Sequence, residues 1–297
     1  MDIHSLASRG VARPLPWGYR ENLGPPEHHS APSIAPATPQ VEEKMGQRYD
    51  AAVVGSGPNG LAAAVALARA GRSVVVLERA PELGGGCRTL PLTLPGYRHD
   101  LCSAIHPMAA ASPYLRQLPL SDHGLRWIHP PAAAAHPLDD RPAAMLFRDP
   151  HQTARTLGKD GAHYADWFRP LIDAWPDIMR AGMGPPALPK NLIALATFGG
   201  RALLPGKALA EVAFGGVEAQ ALVAGLAAHS VLPLERTPSG AIGLMLHLAA
   251  HAVGWPFPEG GAVGITDALA SLLAAHGGET RTGVDVTSLE QVEDVLE

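Results

Sequence analysis

The chain has 297 residues, 46% apolar and 17% charged, with a formal net charge of −5 at pH 7. That length allows two domains and a core burying roughly three quarters of the unfolded chain's surface. Mild acidity without a block of Lys and Arg speaks against nucleic-acid binding or a polybasic membrane patch, and Cys87 and Cys102, outside any CxxC pair, speak against a redox disulfide.

Residues 1–45 are rich in Pro, Ser, His and Ala, lack apolar periodicity and read as a disordered extension. Arg9, Arg13 and Arg20 give it a faint transit-peptide flavour, which Glu21, Glu27, Glu42 and Glu43 oppose. Met45, just before the first apolar run, is expected to be the natural start.

The stretch from Tyr49 to Arg79 reads as strand, glycine turn, helix and strand. Asp50 to Val54 runs into Gly55-Ser56-Gly57-Pro58-Asn59-Gly60; an Ala-rich helical stretch follows to Ala70, then Ser73 to Glu78. Gly55 permits the tight turn, Gly57 lets backbone N–H groups approach a diphosphate at the positive end of the helix, and Gly60 lets the helix lie close to the sheet. Glu78, about 20 residues on, can accept the hydroxyl protons of a ribose. Pro58 suits the first helical position, Arg69 the last turn, and Gly71 a left-handed cap.

After Arg79 comes Glu82-Leu83-Gly84-Gly85-Gly86-Cys87-Arg88-Thr89, then Leu94-Pro95-Gly96-Tyr97-Arg98-His99-Asp100-Leu101-Cys102-Ser103-Ala104-Ile105-His106-Pro107. Three glycines open backbone conformations closed to other residues, and Arg88 offers a planar donor fork suited to phosphate. With GSGPNG these runs resemble the flavin-dependent oxidoreductases of the phytoene desaturase-like group, within the amine oxidase superfamily. The GSGPNGLAAA wording is most like the branch containing pyridine nucleotide-disulfide oxidoreductase domain-containing protein 2.

The resemblance implies FAD as cofactor, contacted by Gly55, Ser56, Gly57, Pro58, Asn59, Gly60, Glu78, Arg79, Gly85, Gly86 and Arg88. An NAD reading stays open from the first motif alone; the second motif favours FAD. The segment Tyr97 to His106 corresponds to one that runs near the flavin ring, which makes His99, Asp100, Ser103 and His106 the polar candidates near a reacting centre. Each is weighted toward a structural role, because the hard chemistry belongs to the cofactor.

From Ser112 to Trp255 the texture changes. Leu125–His129 and Ala143–Arg148 read as strands, with Asp139-Asp140 as a hairpin turn. Helical patterns run around His163–Met183, Leu203–Phe214, Val217–His229 and Pro238–Val253, between Pro and Gly breaks. Thr237 to Pro258 has no charged side chain, but its helical part is too short to span a bilayer and reads as buried or tunnel-lining. His247 and His251 share a helical face at metal-ligand spacing, yet Leu248 stands where a zinc protease needs Glu and no third ligand is evident, so two packed histidines and no metal are expected.

Trp255 to Gly264 is similar to the aromatic-Pro-x-Gly-Gly turn by which this group returns to the flavin domain, with Gly260 and Gly261 near substrate or cofactor. A helix from Ile265 to His276 follows, and Gly277–Leu289 reads as turn plus strand. By resemblance, the backbone of Val286 meets the adenine.

The fold expected is therefore α/β: a Rossmann-like FAD-binding domain, its parallel sheet flanked by helices, with an inserted, mainly helical substrate or cap domain. The divisions are 1–45, 46–111, 112–255 and 256–297. The resemblance covers only the first part of the group's pattern, so a C-terminally incomplete flavin domain is expected. One function implied is oxidation of a hydrophobic small-molecule substrate by hydride transfer to flavin, with a quinone or oxygen as electron acceptor. The alternatives are a truncated or degenerate non-catalytic dinucleotide-binding fragment, or half of a split oxidoreductase needing a second polypeptide; association as a homo-oligomer also stays open. A cytoplasmic location is expected, with peripheral membrane contact left open by the lipid-soluble substrate class.

Overall fold

The computed structural model describes residues 48–184 and 191–296. The amino-terminal extension expected over residues 1–45 lies outside the described residues. Strand β1 (Ala51–Val54), helix α1 (Pro58–Arg69) and β2 (Val74–Glu78) form the first unit. β3 (Thr89–Leu90) and β4 (His99–Asp100) pair antiparallel, and α2 (Pro107–Ala111) follows.

The middle of the chain opens with β5 (Trp127–Ile128) and a hairpin of β6 (Ala134–Leu138) and β7 (Arg141–Leu146). Seven helices succeed it among the described residues: α3 (Pro150–Ala154), α4 (Gly161–Asp173), α5 (Trp175–Met183), α6 (Leu192–Ala202), α7 (Gly206–Ala213), α8 (Val217–Ala227) and α9 (Ser239–Val253). The chain returns through β8 (Phe257–Pro258), α10 (Val263–Ala275), β9 (Glu279–Thr282) and α11 (Glu290–Glu293).

The fold is mixed α/β. Its three-stranded sheet has the order β1-β2-β9, all parallel, with Ala51 opposite Val74 and Val75 opposite Glu279. β2 is central and its sequence, Val-Val-Val-Leu, is apolar at successive positions because both faces are covered. Val74 and Val76 pack with Leu61, Val65 and Ala68 of α1 and with Leu269 and Leu272 of α10. Val75 and Leu77 face Tyr49, Val284, Val286 and Val295 on the other side. Small alanines on α1 let it lie against this sheet, and the helix ends as its sequence dictates, with Arg69 in the last turn and Gly71 at φ +81°.

A second core joins Tyr164, Phe168 and Leu171 of α4 to Leu222 and Leu226 of α8 and Leu244 and Leu248 of α9. α9 is thus an interior helix, which explains its lack of charge. His247 and His251 pack within it: His247 stacks on Phe168 at 5.0 Å, and His251 Nε2 lies 2.8 Å from the Tyr164 hydroxyl. Among the described residues no single helix is long and apolar enough to cross a membrane, and the apolar pair α6 and α7 is bent by 112°.

Several elements depart from the pattern-based expectation. The helical stretch around His163–Met183 is two helices divided at Ala174, where Pro176 opens the second. β5 keeps only two residues of the five expected, and β7 starts and ends two residues early. Neither β6 nor α6 is apparent in the sequence. β6 contains Pro137, and the outward positions Leu192 and Ile193 of α6 are apolar while Ala194 and Ala202 point inward, reversing the pattern that marks a surface helix. The Asp139-Asp140 turn joins β6 to β7 as expected, with Asp140 at φ +55°.

Candidate dinucleotide site

The first glycine turn leaves β1 at Gly55, whose φ of +95° is closed to most side chains and whose N–H donates to Leu77 O at 2.8 Å. A Cβ on Gly60 would lie 2.1 Å from Gly55 O, so the absence of a side chain is what lets α1 start this close to the strand. Gly57 differs. Its backbone, at φ −62° and ψ 168°, suits any residue, and a Cβ there would meet nothing within 4 Å. Neither conformation nor packing within the chain demands glycine at 57.

The amino end of α1 carries no side-chain cap and no acid in its first turn. Leu61 N–H reaches Gly57 O at 3.0 Å, but Asn59 and Gly60 have no carbonyl one turn back, and Pro58 has no N–H to satisfy. α10 provides the contrast. Ala262 N–H donates to Asp100 Oδ1 at 2.8 Å and Val263 N–H to Thr89 Oγ1 at 3.1 Å, so its first donors are satisfied within the protein. Of these two helices packed on one sheet face, α1 is the one whose positive end faces open space, and a diphosphate fits there.

Glu78 closes β2. Its Oε2 accepts from Ser56 N–H at 2.8 Å and Ser56 Oγ–H at 2.6 Å, while Oε1 accepts from Ala80 N–H at 2.9 Å. Partial burial pushes its pKa upward, but the hydrogen bonds from Ser56 and Ala80 and the charge of Arg88 outweigh that and hold it below the ordinary glutamate value. Three of its roughly four acceptor positions are already used, so a ribose would find a rigidly held carboxylate with about one free lone pair. The ordering partner, Ser56, is completely buried.

The second glycine turn closes on the first. Gly84 and Gly85 have φ of +116° and +54°, and a Cβ on Gly85 would lie 3.0 Å from Gly57 Cα. Gly84 N–H donates to Ser56 Oγ at 3.0 Å, so one hydroxyl ties both turns to Glu78. Arg88 Nε donates back to Gly85 O at 3.0 Å, which fixes the turn with one of the guanidinium donors. Asn59 and Arg79 are exposed beside these turns. Gly86 faces the exposed Cys102, whose Sγ would be 3.5 Å from a Cβ at 86; Cys87 is buried, which pushes its thiol pKa up. Both cysteines are free.

The polar residues expected near a reacting centre do not converge. His99 Nε2 lies 2.6 Å from Thr93 Oγ1 within its own hairpin, and Ser103 Oγ donates to Ile105 O two residues away. His106 is partly buried, and burial holds its pKa below the usual histidine value; its Nε2 has no partner among the described residues. Asp100 alone is brought to the Gly260-Gly261 turn: a Cβ on Gly261 would fall 2.9 Å from Asp100 Oδ1 and 2.6 Å from Thr89 Oγ1. Gly260 and Gly261 have φ of +80° and +106°. Val286 lies beyond the short strand β9 and packs on the Tyr49 side of the sheet, two residues after Val284, whose N–H donates to Glu78 O at 2.9 Å. Thr89, Ala80 and Thr266, which sequence reasoning passed over, are held here by contacts that only the fold creates; the sole local signal was Thr89 directly after Arg88.

Residues 53–118, from within β1 past both glycine turns, match the family described as NAD(P)-binding Rossmann-like domain. The chain carries an NAD(P)-binding Rossmann-like domain. Beyond that domain the chain is similar to pyridine nucleotide-disulfide oxidoreductase domain-containing protein 2 of Rattus norvegicus, with 28% identity over 309 residues, covering 88% of this chain and 52% of that protein. Around the Rossmann-like domain it is also similar to one of the limonene dehydrogenase subunits of Castellaniella defragrans, 32% identical over 125 residues, which are 42% of this chain and 22% of that protein. The chain thus spans about half the length, or less, of these curated relatives. Among solved structures, a putrescine oxidase triple mutant from a redesign of cofactor binding superposes with a TM-score of 0.51 at 20% identity, covering 81% of this chain and 52% of that one, a likeness of fold.

Proposed function

We propose that this chain is the FAD-binding part of an oxidoreductase that removes hydrogen from a hydrophobic small molecule. One observation carries the reading: the second glycine turn rests on the first, with Gly85 against Gly57. That contact extends side-chain-free backbone beyond the diphosphate position at α1, which suits a cofactor that continues past its pyrophosphate through a polyol. The resemblance of the GGGCRT segment to flavin enzymes, and the name of the limonene dehydrogenase relative, support a flavin and an apolar substrate.

The residues present fit such a group. The first turn and α1 would take the diphosphate, Glu78 a ribose hydroxyl, and Gly84–Gly86 with Arg88 the stretch beyond. Bound FAD would supply the acceptor for a hydride from a substrate C–H bond, with a quinone or oxygen taking the electrons onward. This chain's residues bind and orient; with His99 and Ser103 engaged locally and Asp100 in a hydrogen-bonded clamp, they supply no evident base.

The test is the absorbance spectrum of the purified chain after incubation with FAD and gel filtration. Retained flavin bands, bleached by dithionite, are expected. Colourless protein would overturn the reading for this chain alone.

A second reading is a half that needs another polypeptide to complete the site. It is favoured by the position of β1 at the sheet edge, with Val54 56% exposed beside Gly55 and with Leu101 and Ile105 exposed near Cys102. Flavin retained only after adding a second chain would select it. Contact with a membrane surface belongs to the same set of proposals and would be read as sedimentation with vesicles that survives high salt.

A further inference from the structure

We infer that Asp100 and Thr89 form a positioning pair that fixes the amino end of α10 and, through it, the two glycine turns of the cofactor site. The inference rests on the flavin reading above and assigns Asp100 to holding backbone, not to moving protons.

Three hydrogen bonds meet at this point. Thr89 Oγ1–H donates to Asp100 Oδ1 at 2.6 Å; the same Oδ1 accepts Ala262 N–H at 2.8 Å; and Thr89 Oγ1 accepts Val263 N–H at 3.1 Å. They join β3, β4 and α10, the last 162 residues beyond Asp100. Gly261 lies flush against the pair, since a Cβ there would come within 2.9 Å of Asp100 Oδ1. No room is left for a substrate atom between that oxygen and the turn.

The clamp reaches the cofactor site through α10. One turn into the helix, Thr266 Oγ1 would lie 2.9 Å from a Cβ on Gly84, so the helix and the second glycine turn are in direct contact. Gly84 N–H is bound to Ser56 Oγ, and Ser56 to Glu78. A shift of the amino end of α10 therefore displaces Gly84 and loosens the seat of Gly85 on Gly57. Because β8 and α10 are also where the chain returns from its helical core, the same clamp sets the position of that return.

The role separates two substitutions that a proton-transfer role would treat alike. Asp100→Asn keeps an Oδ1 acceptor for both donors, whereas Asp100→Ala removes it and leaves Ala262 N–H and Thr89 Oγ1–H unmet. Titrating FAD into the full chain, with flavin fluorescence as the readout, should show binding weakened by about tenfold or more in Asp100→Ala and by less than about threefold in Asp100→Asn. Thr89→Val, which keeps volume and removes the hydroxyl, should resemble Asp100→Ala and gives a second measurement if the alanine variant does not fold. Equal binding by Asp100→Ala and the parent, or an Asn variant as defective as the Ala variant, would overturn the inference. Should the parent itself bind no FAD, the flavin reading fails, and amide exchange decides the clamp. Protection at Ala262 and Val263 must be lost in Asp100→Ala and kept in Asp100→Asn, and unchanged exchange in both rules the clamp out.

Discussion

Gly85 sits directly on Gly57: a Cβ on Gly85 would stand 3.0 Å from the Gly57 Cα and 3.4 Å from its nitrogen. Two glycine turns far apart in sequence thereby become one surface of bare backbone, with Ser56 beneath it linking Gly84 to Glu78. Substitutions in that surface, and in the core that supports the rest of the chain, should have separable effects.

Gly57 and Gly60 should separate binding from stability. Gly57→Val places its side chain where the chain has no atoms, so the fold should lose less than about 1 kcal/mol, the scale of an altered helix cap. FAD binding should disappear. Equilibrium titration alongside urea unfolding checks both halves, and a valine variant that binds FAD like its parent would remove α1 as the diphosphate site.

Gly60→Ala should do the opposite damage first. Its methyl would collide with Gly55 O at 2.1 Å, forcing α1 away from β1 at a cost of about 1–3 kcal/mol. The urea midpoint should fall with little change in slope, even with no cofactor present.

Ser56→Ala should loosen both turns together. It leaves the buried Gly84 N–H without its acceptor and takes one donor from Glu78, a loss of about 1–3 kcal/mol. Glu78 is held below its ordinary pKa, so its hydrogen bonds stabilise the fold above the unfolded glutamate value, and that stability is lost as pH falls through the folded value. Urea unfolding across the acid range should show a shallower loss in Ser56→Ala than in the parent.

The helical core should be sensitive to acid. Burial lowers His247 to about 3 and His251 to about 4, from 6.5, despite hydrogen bonds to Gly243 O and Arg148 O. The unfolded chain therefore binds more protons between those values. Stability is fully present above about pH 6.5 and falls by about 1.4 kcal/mol per pH unit per histidine as pH drops toward the folded values. His247→Phe, whose ring can keep the stack on Phe168, should remove about half of that slope, as measured by thermal or urea unfolding at a series of pH values.

The β1–turn–α1–β2 unit was legible because its determinants are neighbours along the chain. Pro58, Arg69 and Gly71 mark the ends of α1, and a run of valines marks a strand buried on both faces. The Asp139-Asp140 hairpin was legible for the same reason. α6 was not, because Leu192 and Ile193 point outward and its buried positions are alanines, so no periodic contrast marks an inner face. The break between α4 and α5 was also hidden, since a proline is tolerated inside the first helix at 170 and opens the second at 176.

Glycine spacing within one supersecondary unit was enough to locate a phosphate-binding backbone turn and the carboxylate that follows it. Folding of the whole chain was needed to engage Glu78 with Ser56 and Ala80, to set Asp100 on the amino end of α10, and to bring the two glycine turns into contact. Those relationships depend on how strands and helices pack across 22 to 162 residues of chain, a distance over which local side-chain chemistry exerts no preference until the cores have formed.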